Sequence, residues 1–397
     1  MNKSAMRFQN IEESIFTRMT RLAVEQKAFN LAQGFPDFSG PSYLIERLHY
    51  HLDTCTNQYT RSPGHLALCE ALQNYSRQYL PRTYDAGQEI TVVNGATEGV
   101  LCAVVGLVNP GQKILVFEPY YESYLTCAQI AGAELVGVPL LPPNNDQELE
   151  DGVWHIDWSR FENAIKNNVG LILLNHPHNP TGKVFAEEEL IKIFDTAQKH
   201  NIPVAIDGVY EQLVYSCPRK NFMPFLAKYS DNIIFISAIS KTLSFTGFKI
   251  GWILAPKAFT PALRRVHEGA VYCQPPHLQL AVADMLNNEA IFSAYVKEQR
   301  INFMHIRDEM RVALSNFGFR VPNAQGTYFL LAEKHKAPLK ANLDIEMAEE
   351  LLNKHKIATI PVSGFYVGPV ILENWLRFAF CKRPETIAAC KKALLVE

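Results

Sequence analysis

No two of the eight cysteines in this chain stand in a C-x-x-C pair. Cys55, Cys69, Cys102, Cys127, Cys217, Cys273, Cys381 and Cys390 are scattered, so neither a structural metal centre nor a disulfide framework is expected, and most read as reduced, small apolar core residues. Long hydrophobic runs are missing too. None approaches the roughly 20 residues that cross a bilayer, and the start, Met1-Asn-Lys-Ser-Ala-Met-Arg-Phe-Gln-Asn10, lacks the apolar core of an export signal. Neither sign of charge is in excess: 38 Lys and Arg stand against 40 Asp and Glu, which argues against a surface built for nucleic acid. There is no internal repeat and no low-complexity tract. The expectation is a cytoplasmic protein without membrane, nucleic-acid or metal chemistry.

What is present is a chain of 397 residues, long enough for two domains and a large buried core. From about Thr91 to about Ala255, strand and helix patterns alternate. Lys113–Glu118, Glu134–Val138, Gly170–Leu174, Ile202–Ile206, Asn232–Ile236 and Lys249–Leu254 read as strands of a doubly wound, mostly parallel α/β sheet. After Pro275 the texture changes to helical stretches, His277 to Met304 and His305 to Phe317, and then to short strands such as Thr327–Leu331. That part reads as a smaller α+β domain. The segment Leu141 to Gly152 reads as a polar surface loop.

The chemistry gathers where strand-like runs end. Lys241 follows Asn232–Ile236, so its amine emerges at the carboxyl end of a buried strand, the edge at which α/β sheets place their sites. A Ser/Thr/Gly-rich turn and a second cation, Lys249, come next, which suits a Schiff-base nucleophile beside a phosphate pocket. Asn179 and Asp207 follow two earlier runs, each about one strand-helix-strand unit of roughly 30 residues before the next candidate. Right-handed crossovers bring such ends to one edge. The helix that opens at Gly95-Ala96-Thr97 offers free amides and a dipole to an anion, although Thr97 also reads as an ordinary cap. Arg377, in an apolar run, needs an anion or an internal salt bridge. His176 and His178 flank Pro177 with no carboxylate or cysteine at ligand spacing, so loop packing is the reading for both.

Several motifs in order make the chain recognisable: Phe29-Asn-Leu-Ala-Gln-Gly-Phe-Pro-Asp-Phe38, Asn57-Gln-Tyr-Thr60, Asn94-Gly-Ala-Thr-Glu98, Asn175-His-Pro-His-Asn179-Pro-Thr-Gly182, Asp207-Gly-Val-Tyr210, the Lys241 segment and Trp375-Leu-Arg-Phe378. The chain resembles the class I/II aminotransferases of the fold type I pyridoxal-phosphate superfamily, most closely the methionine, glutamine and kynurenine group. The resemblance implies pyridoxal 5'-phosphate as cofactor and a ping-pong transfer of an amino group to a 2-oxo acid. It implies that Lys241 bonds the cofactor and moves a proton at the substrate α-carbon, that Asp207 holds the pyridine nitrogen proton, and that Tyr210 and Asn179 bond the phenolic oxygen. Tyr121 would stack on the ring. Gly95, Ala96, Thr97 and Lys249, with Tyr59 of the partner subunit, would hold the phosphate. Arg377 would bind the α-carboxylate, aided by Gly34, Asn179 and Phe16 on the substrate side.

The resemblance also implies one antiparallel strand in the sheet, a homodimer with shared sites, a large domain over 45–280, and a small domain from 1–44 with 281–397. Two departures fall in the phosphate cradle. Lysine stands at 249 where many relatives have arginine, and Ala238 replaces the usual phosphate-binding serine, with Ser237 or Ser240 as the available hydroxyls. Cofactor retention is therefore expected to be weaker than in relatives with both groups. No second arginine is evident for a side-chain carboxylate, and Phe16, Phe35, Tyr121, Tyr328, Phe329 and Phe365 could make the pocket apolar. Apolar, aromatic or sulfur-containing amino acids are the expected donors. The alternatives are β-elimination from cysteine S-conjugates at the same site, and a non-catalytic cofactor-binding regulator, which would need an added DNA-binding domain for which the motifs leave no room.

Overall fold

The computed structural model describes residues 5, 8, 13–215 and 224–395; Cys217 lies outside them. Its centre is an eight-stranded sheet in the order Ile90–Asn94, Ile250–Leu254, Ile233–Ala238, Val204–Asp207, Val169–Asn175, Lys113–Glu118, Glu134–Leu141 and His155–Ile156. Alternate residues of these strands face opposite ways. Val93, Ile114, Leu171 and Ile234 pack with the helices Gly95–Leu107 and Ser123–Ala131, while Val92, Leu115, Ile172 and Phe235 pack on the other side with Leu66–Tyr79 and Glu187–Lys199. Both faces are covered, which is why the strands read as continuous apolar runs.

The central strands are parallel. Ile250–Leu254 runs antiparallel to both of its neighbours, as expected of one strand, and the two-residue edge strand His155–Ile156 is also antiparallel. The reversed strand has a consequence for chemistry. It starts at the edge where the others end, and Asn94 pairs with Ile250 while Ala238 pairs with Gly251. Lys249 therefore meets the helix start at Gly95. Asn175 and Asp207 lie side by side at the same edge.

A second, antiparallel sheet orders Phe319–Arg320, Phe329–Lys334, Trp375–Ala379 and Ile360–Pro361. The chain near its start joins this part of the molecule: Phe29–Asn30 pairs in parallel with Ile357–Ala358, and the helix Ile15–Glu25 sends Arg18 to Glu349. Two expectations need correction. The segment from 141 to 152 is not all loop, because Asp146–Asp151 is a helix capped by the Asn145 side chain and ended by left-handed Gly152. It is docked by Asn323 and Gln325, whose amides donate to the Glu150 and Asp151 carbonyls at 3.1 and 2.9 Å. The helices after Pro275 divide at Asn288, giving Pro276–Asn287 and Glu289–Phe317, because the Asn288 side chain caps the second. Among the described residues no helix is long and apolar enough to cross a membrane. Cys69, Cys102, Cys127, Cys381 and Cys390 are buried thiols.

Candidate active site

The carboxyl edge of the large sheet opens into a cavity of ≈ 460 Å³. Phe16, Gly34, Ala96, Thr97, Tyr121, Asn179, Asp207, Tyr210, Lys241, Lys249 and Arg377 all line it. Gly95 stands one residue behind Ala96 at the helix start. Tyr59 is the exception. It is 85% exposed, with its ring edge-on to Tyr272 at 5.5 Å, and does not reach the cavity of its own chain.

Lys241 lies on the short helix Ile239–Thr242 that follows Ile233–Ala238. Its amine donates to the Gly34 carbonyl at 3.1 Å, an oxygen that also accepts from the Tyr328 hydroxyl at 2.6 Å. Burial pushes the amine down to about 8, helped by the positive charges of Lys249 and Arg377. A lysine so shifted is partly neutral, and hence nucleophilic, near physiological pH. Asp207 ends its strand and accepts from the Tyr124 hydroxyl at 2.6 Å. Burial raises its carboxyl, against the lowering effect of that hydrogen bond, so a cation placed opposite it would be strongly favoured.

Arg377 is fully enclosed. Its guanidinium carbon lies 4.2 Å from the centre of the Phe329 ring and 4.9 Å from that of Phe16. One terminal nitrogen donates to Asn179 Oδ1 at 3.1 Å and the other to the Ala32 carbonyl at 2.7 Å. Nε has no partner, and no carboxylate pairs with the group among the described residues, so the internal salt bridge left open by the sequence does not form. Burial pushes this guanidinium down to about 10. The strand end at Asn175 holds Asn179 in place, since Asn175 Oδ1 accepts from the Asn179 amide at 2.5 Å and Nδ2 donates to the Asp207 carbonyl at 3.0 Å.

At the other end of the cavity two backbones come unusually close. A β-carbon on Gly251 would lie 2.7 Å from the Gly95 carbonyl carbon and 2.9 Å from the Ala96 nitrogen, and one on Gly95, whose φ is +70°, would meet the Lys249 amine at 3.1 Å. The 13-residue helix Gly95–Leu107 thus begins with open amides and a lysine amine above them. That is an anion site by dipole, donors and charge together.

Residues 26–393 match the family described as aminotransferase class I and II. The chain belongs to that family. It is 31% identical to the methionine aminotransferase of Escherichia coli strain K12 over 381 residues, covering 96% of this chain and 95% of the relative. It is 31% identical to a kynurenine–oxoglutarate transaminase of Dictyostelium discoideum, covering 96% and 93%. The solved N-succinyldiaminopimelate aminotransferase of Mycobacterium tuberculosis superposes with a TM-score of 0.91 at 32% identity, covering 98% of this chain and 99% of that one. The protein is a transaminase of the fold type I α/β class, and these relatives favour neither the lyase nor the regulator reading.

For this aminotransferase several expectations change at the level of single side chains. Ser237 cannot stand in for the serine absent at 238: its hydroxyl points to Glu211 Oε1 at 3.0 Å, whereas Ser240 and Thr246 line the cavity beside Ala238. Of the six aromatic residues expected around the substrate, Phe16, Tyr121 and Phe329 line the cavity. Phe365 stacks behind Phe16 at 5.7 Å, Tyr328 lies behind Tyr210 at 5.3 Å, and Phe35 is 43% exposed under the Lys382 amine. His176 and His178 are buried against Phe185, and burial drives both down to about 3, with His178 bonded to Thr181 Oγ1 at 2.8 Å. Ser14, Glu122, Tyr124 and Asn175 also line the cavity; Asn175 opens the motif that carries Asn179, Glu122 and Tyr124 lie one and three residues after Tyr121, and Ser14 carries no sequence signal of its own.

Proposed function

We propose that this aminotransferase uses pyridoxal 5'-phosphate to take the amino group from neutral amino acids, with methionine-like, aromatic or kynurenine-like side chains, and pass it to a 2-oxo acid. The observation that carries the reading is the pairing in one cavity of a half-buried Lys241, whose amine desolvation lowers to about 8, with a buried Arg377 whose Nε is unpartnered. The residues present fit the cofactor: a glycine-lined helix start under Lys249 suits its phosphate, and the buried Asp207 suits a protonated ring nitrogen. When bound, that ring supplies the electron sink for the pair left as the α-carbon loses its proton.

The chain's own residues account for the rest. Lys241 supplies the amine that anchors the group and, once displaced by the substrate amine, carries the proton at the α-carbon. Arg377 holds the α-carboxylate as a fork, and Asn179 fixes the plane of that fork from one side. Fixing the carboxylate orients the α-carbon bonds. Asp207, with the Tyr124 hydroxyl donating to it, would hold the proton of the cofactor's ring nitrogen, and Asn179 and Tyr210 would hold its phenolic oxygen. Tyr121 and Phe16, edge to face at 6.3 Å, keep water from the reacting carbon.

The only cations lining the cavity among the described residues are Lys241, Lys249 and Arg377, each committed to another task, so a second substrate carboxylate would lack a counter-ion. The methionine and kynurenine relatives support the same choice. The proposal includes a homodimer in which Tyr59 of the partner subunit completes the phosphate cradle, and a division into a large unit over 45–280 and a small one from 1–44 and 281–397. Steady-state comparison of methionine with aspartate, against one 2-oxo acid, tests the substrate reading. Methionine is expected to win by about 100-fold in kcat/KM, as for a site that leaves a buried charge unpaired; a clear preference for aspartate would overturn it. Pyruvate and ammonia released from a cysteine S-conjugate without any 2-oxo acid would reveal lyase chemistry instead.

A further inference from the structure

We propose that Glu122, held by Ser14, is a specificity-determining residue that rejects side chains ending in a carboxylate and favours those ending in a hydrogen-bond donor, such as a carboxamide or an arylamine. The inference rests on aminotransfer at this site. Glu122, Ser14 and Ser123 line the cavity, yet none belongs to the cofactor or carboxylate groups described above. The Ser14 hydroxyl donates to Glu122 Oε2 at 2.7 Å, and Oε1 has no partner among the described residues. The pair adjoins, one on each side, the two aromatic residues of the substrate wall. Glu122 follows Tyr121, and Ser14 lies two residues before Phe16, whose ring is 4.9 Å from the Arg377 guanidinium carbon.

A substrate whose α-carboxylate sits on Arg377 and whose chain passes Phe16 and Tyr121 therefore brings its far end toward Glu122. A terminal carboxylate there meets a like charge in a partly desolvated place, and no lining cation is free to offset it. A terminal N–H instead donates to the open Oε1, a charge-assisted bond. A thioether does neither. The rival explanation is purely structural: Ser14 and Glu122 would form only a latch that holds the start of the Ile15–Glu25 helix over the cavity.

Glu122→Gln separates the two, because glutamine keeps an acceptor for Ser14 and loses the charge. Values of kcat/KM for glutamine, glutamate and methionine against one 2-oxo acid would be measured for the wild type, Glu122→Gln and Ser14→Ala, together with inhibition constants for unreactive glutarate. In Glu122→Gln the glutamine-to-glutamate ratio should fall about tenfold and glutarate should bind about tenfold tighter, the size of one charge contact at the rim of a cavity. In Ser14→Ala, which keeps the charge, that ratio should stay within about threefold of wild type. An unchanged ratio in Glu122→Gln, or an equal loss on all three amino acids in both variants, overturns the inference and leaves the latch. A wild-type protein that transfers the amino group of none of the three overturns the inference together with the reading beneath it.

Discussion

Arg377 and Lys241 are two cations kept in one cavity, and the electrostatic cost of that arrangement is what makes them useful. The guanidinium has aromatic rings near it and one nitrogen unsatisfied, so an incoming carboxylate gains both charge and hydrogen bonds. Arg377→Lys keeps the charge and loses the fork, and kcat/KM should fall about 100-fold for every amino acid alike; a loss confined to one amino acid would contradict the assignment. Lys241 makes a separate prediction for the cofactor-free protein. Its amine is lowered from 10.5 to about 8, so between those values the unfolded chain binds more protons than the folded one. Stability therefore rises with pH from about 8 to about 10.5, and below 8 the full penalty remains. The thermal midpoint of wild type minus that of Lys241→Met should increase as pH is raised across the window, and a flat difference would argue against a buried, shifted amine. These residues were legible because Lys241 follows an apolar run and Arg377 interrupts one, each within a motif. Glu122 was not, since an acidic residue before a helix reads as an ordinary N-terminal charge. Ser237 misled because successive strand residues face opposite sides of the sheet, which turns it from the cavity toward Glu211.

Among the elements, the contact that bears on the cofactor site is that between the strand Ile250–Leu254 and the start of the helix Gly95–Leu107. Gly251→Ala would drive a methyl group into backbone atoms 2.7 to 2.9 Å away, where no side chain can yield. Overpacking of this kind costs about 1–3 kcal/mol. Urea unfolding should show that loss, and the displaced helix start should release pyridoxal 5'-phosphate faster in equilibrium dialysis; retention equal to wild type would remove this helix from the phosphate site. The strands were visible in advance because both faces of the sheet are covered, so each strand is an unbroken apolar run. The helix Asp146–Asp151 was hidden because five polar residues and a single leucine, Leu149, carry no apolar period, although its caps, Asn145 and Gly152, were there to be read. The true break between the two long helices was likewise a cap, Asn288, rather than a gap in hydrophobicity.

At the scale of the whole molecule, long-range pairing decides the site. The Glu118 carboxylate accepts from the amides of Val367 and Gly368 at 2.6 and 3.2 Å, and the Tyr120 amide donates to Phe365 at 2.9 Å, so the edge of the large sheet is clipped to the loop before Arg377. Such contacts, some 250 residues apart in sequence, leave no local signal in the sequence. Exposed Tyr59 belongs to the same scale. A chain that completes its partner's cradle should sediment as a dimer, and mixing Lys241→Ala chains with Tyr59→Ala chains should create hybrids in which one site has both residues intact. Cofactor retention and activity in the mixture should exceed those of either variant alone; a monomer, or a mixture no better than its parts, would place Tyr59 outside the site.

The most direct test of the central claim, that the Lys241 cavity performs aminotransfer on a neutral amino acid, is the absorption spectrum of the purified protein loaded with pyridoxal 5'-phosphate. It would be recorded before and after methionine is added without any 2-oxo acid, and again after a 2-oxo acid follows, beside Lys241→Ala. The wild type should show a visible band that methionine bleaches and the 2-oxo acid restores, with no such cycle in the variant. A band that methionine leaves untouched, or a cycle that survives the loss of Lys241, would contradict it.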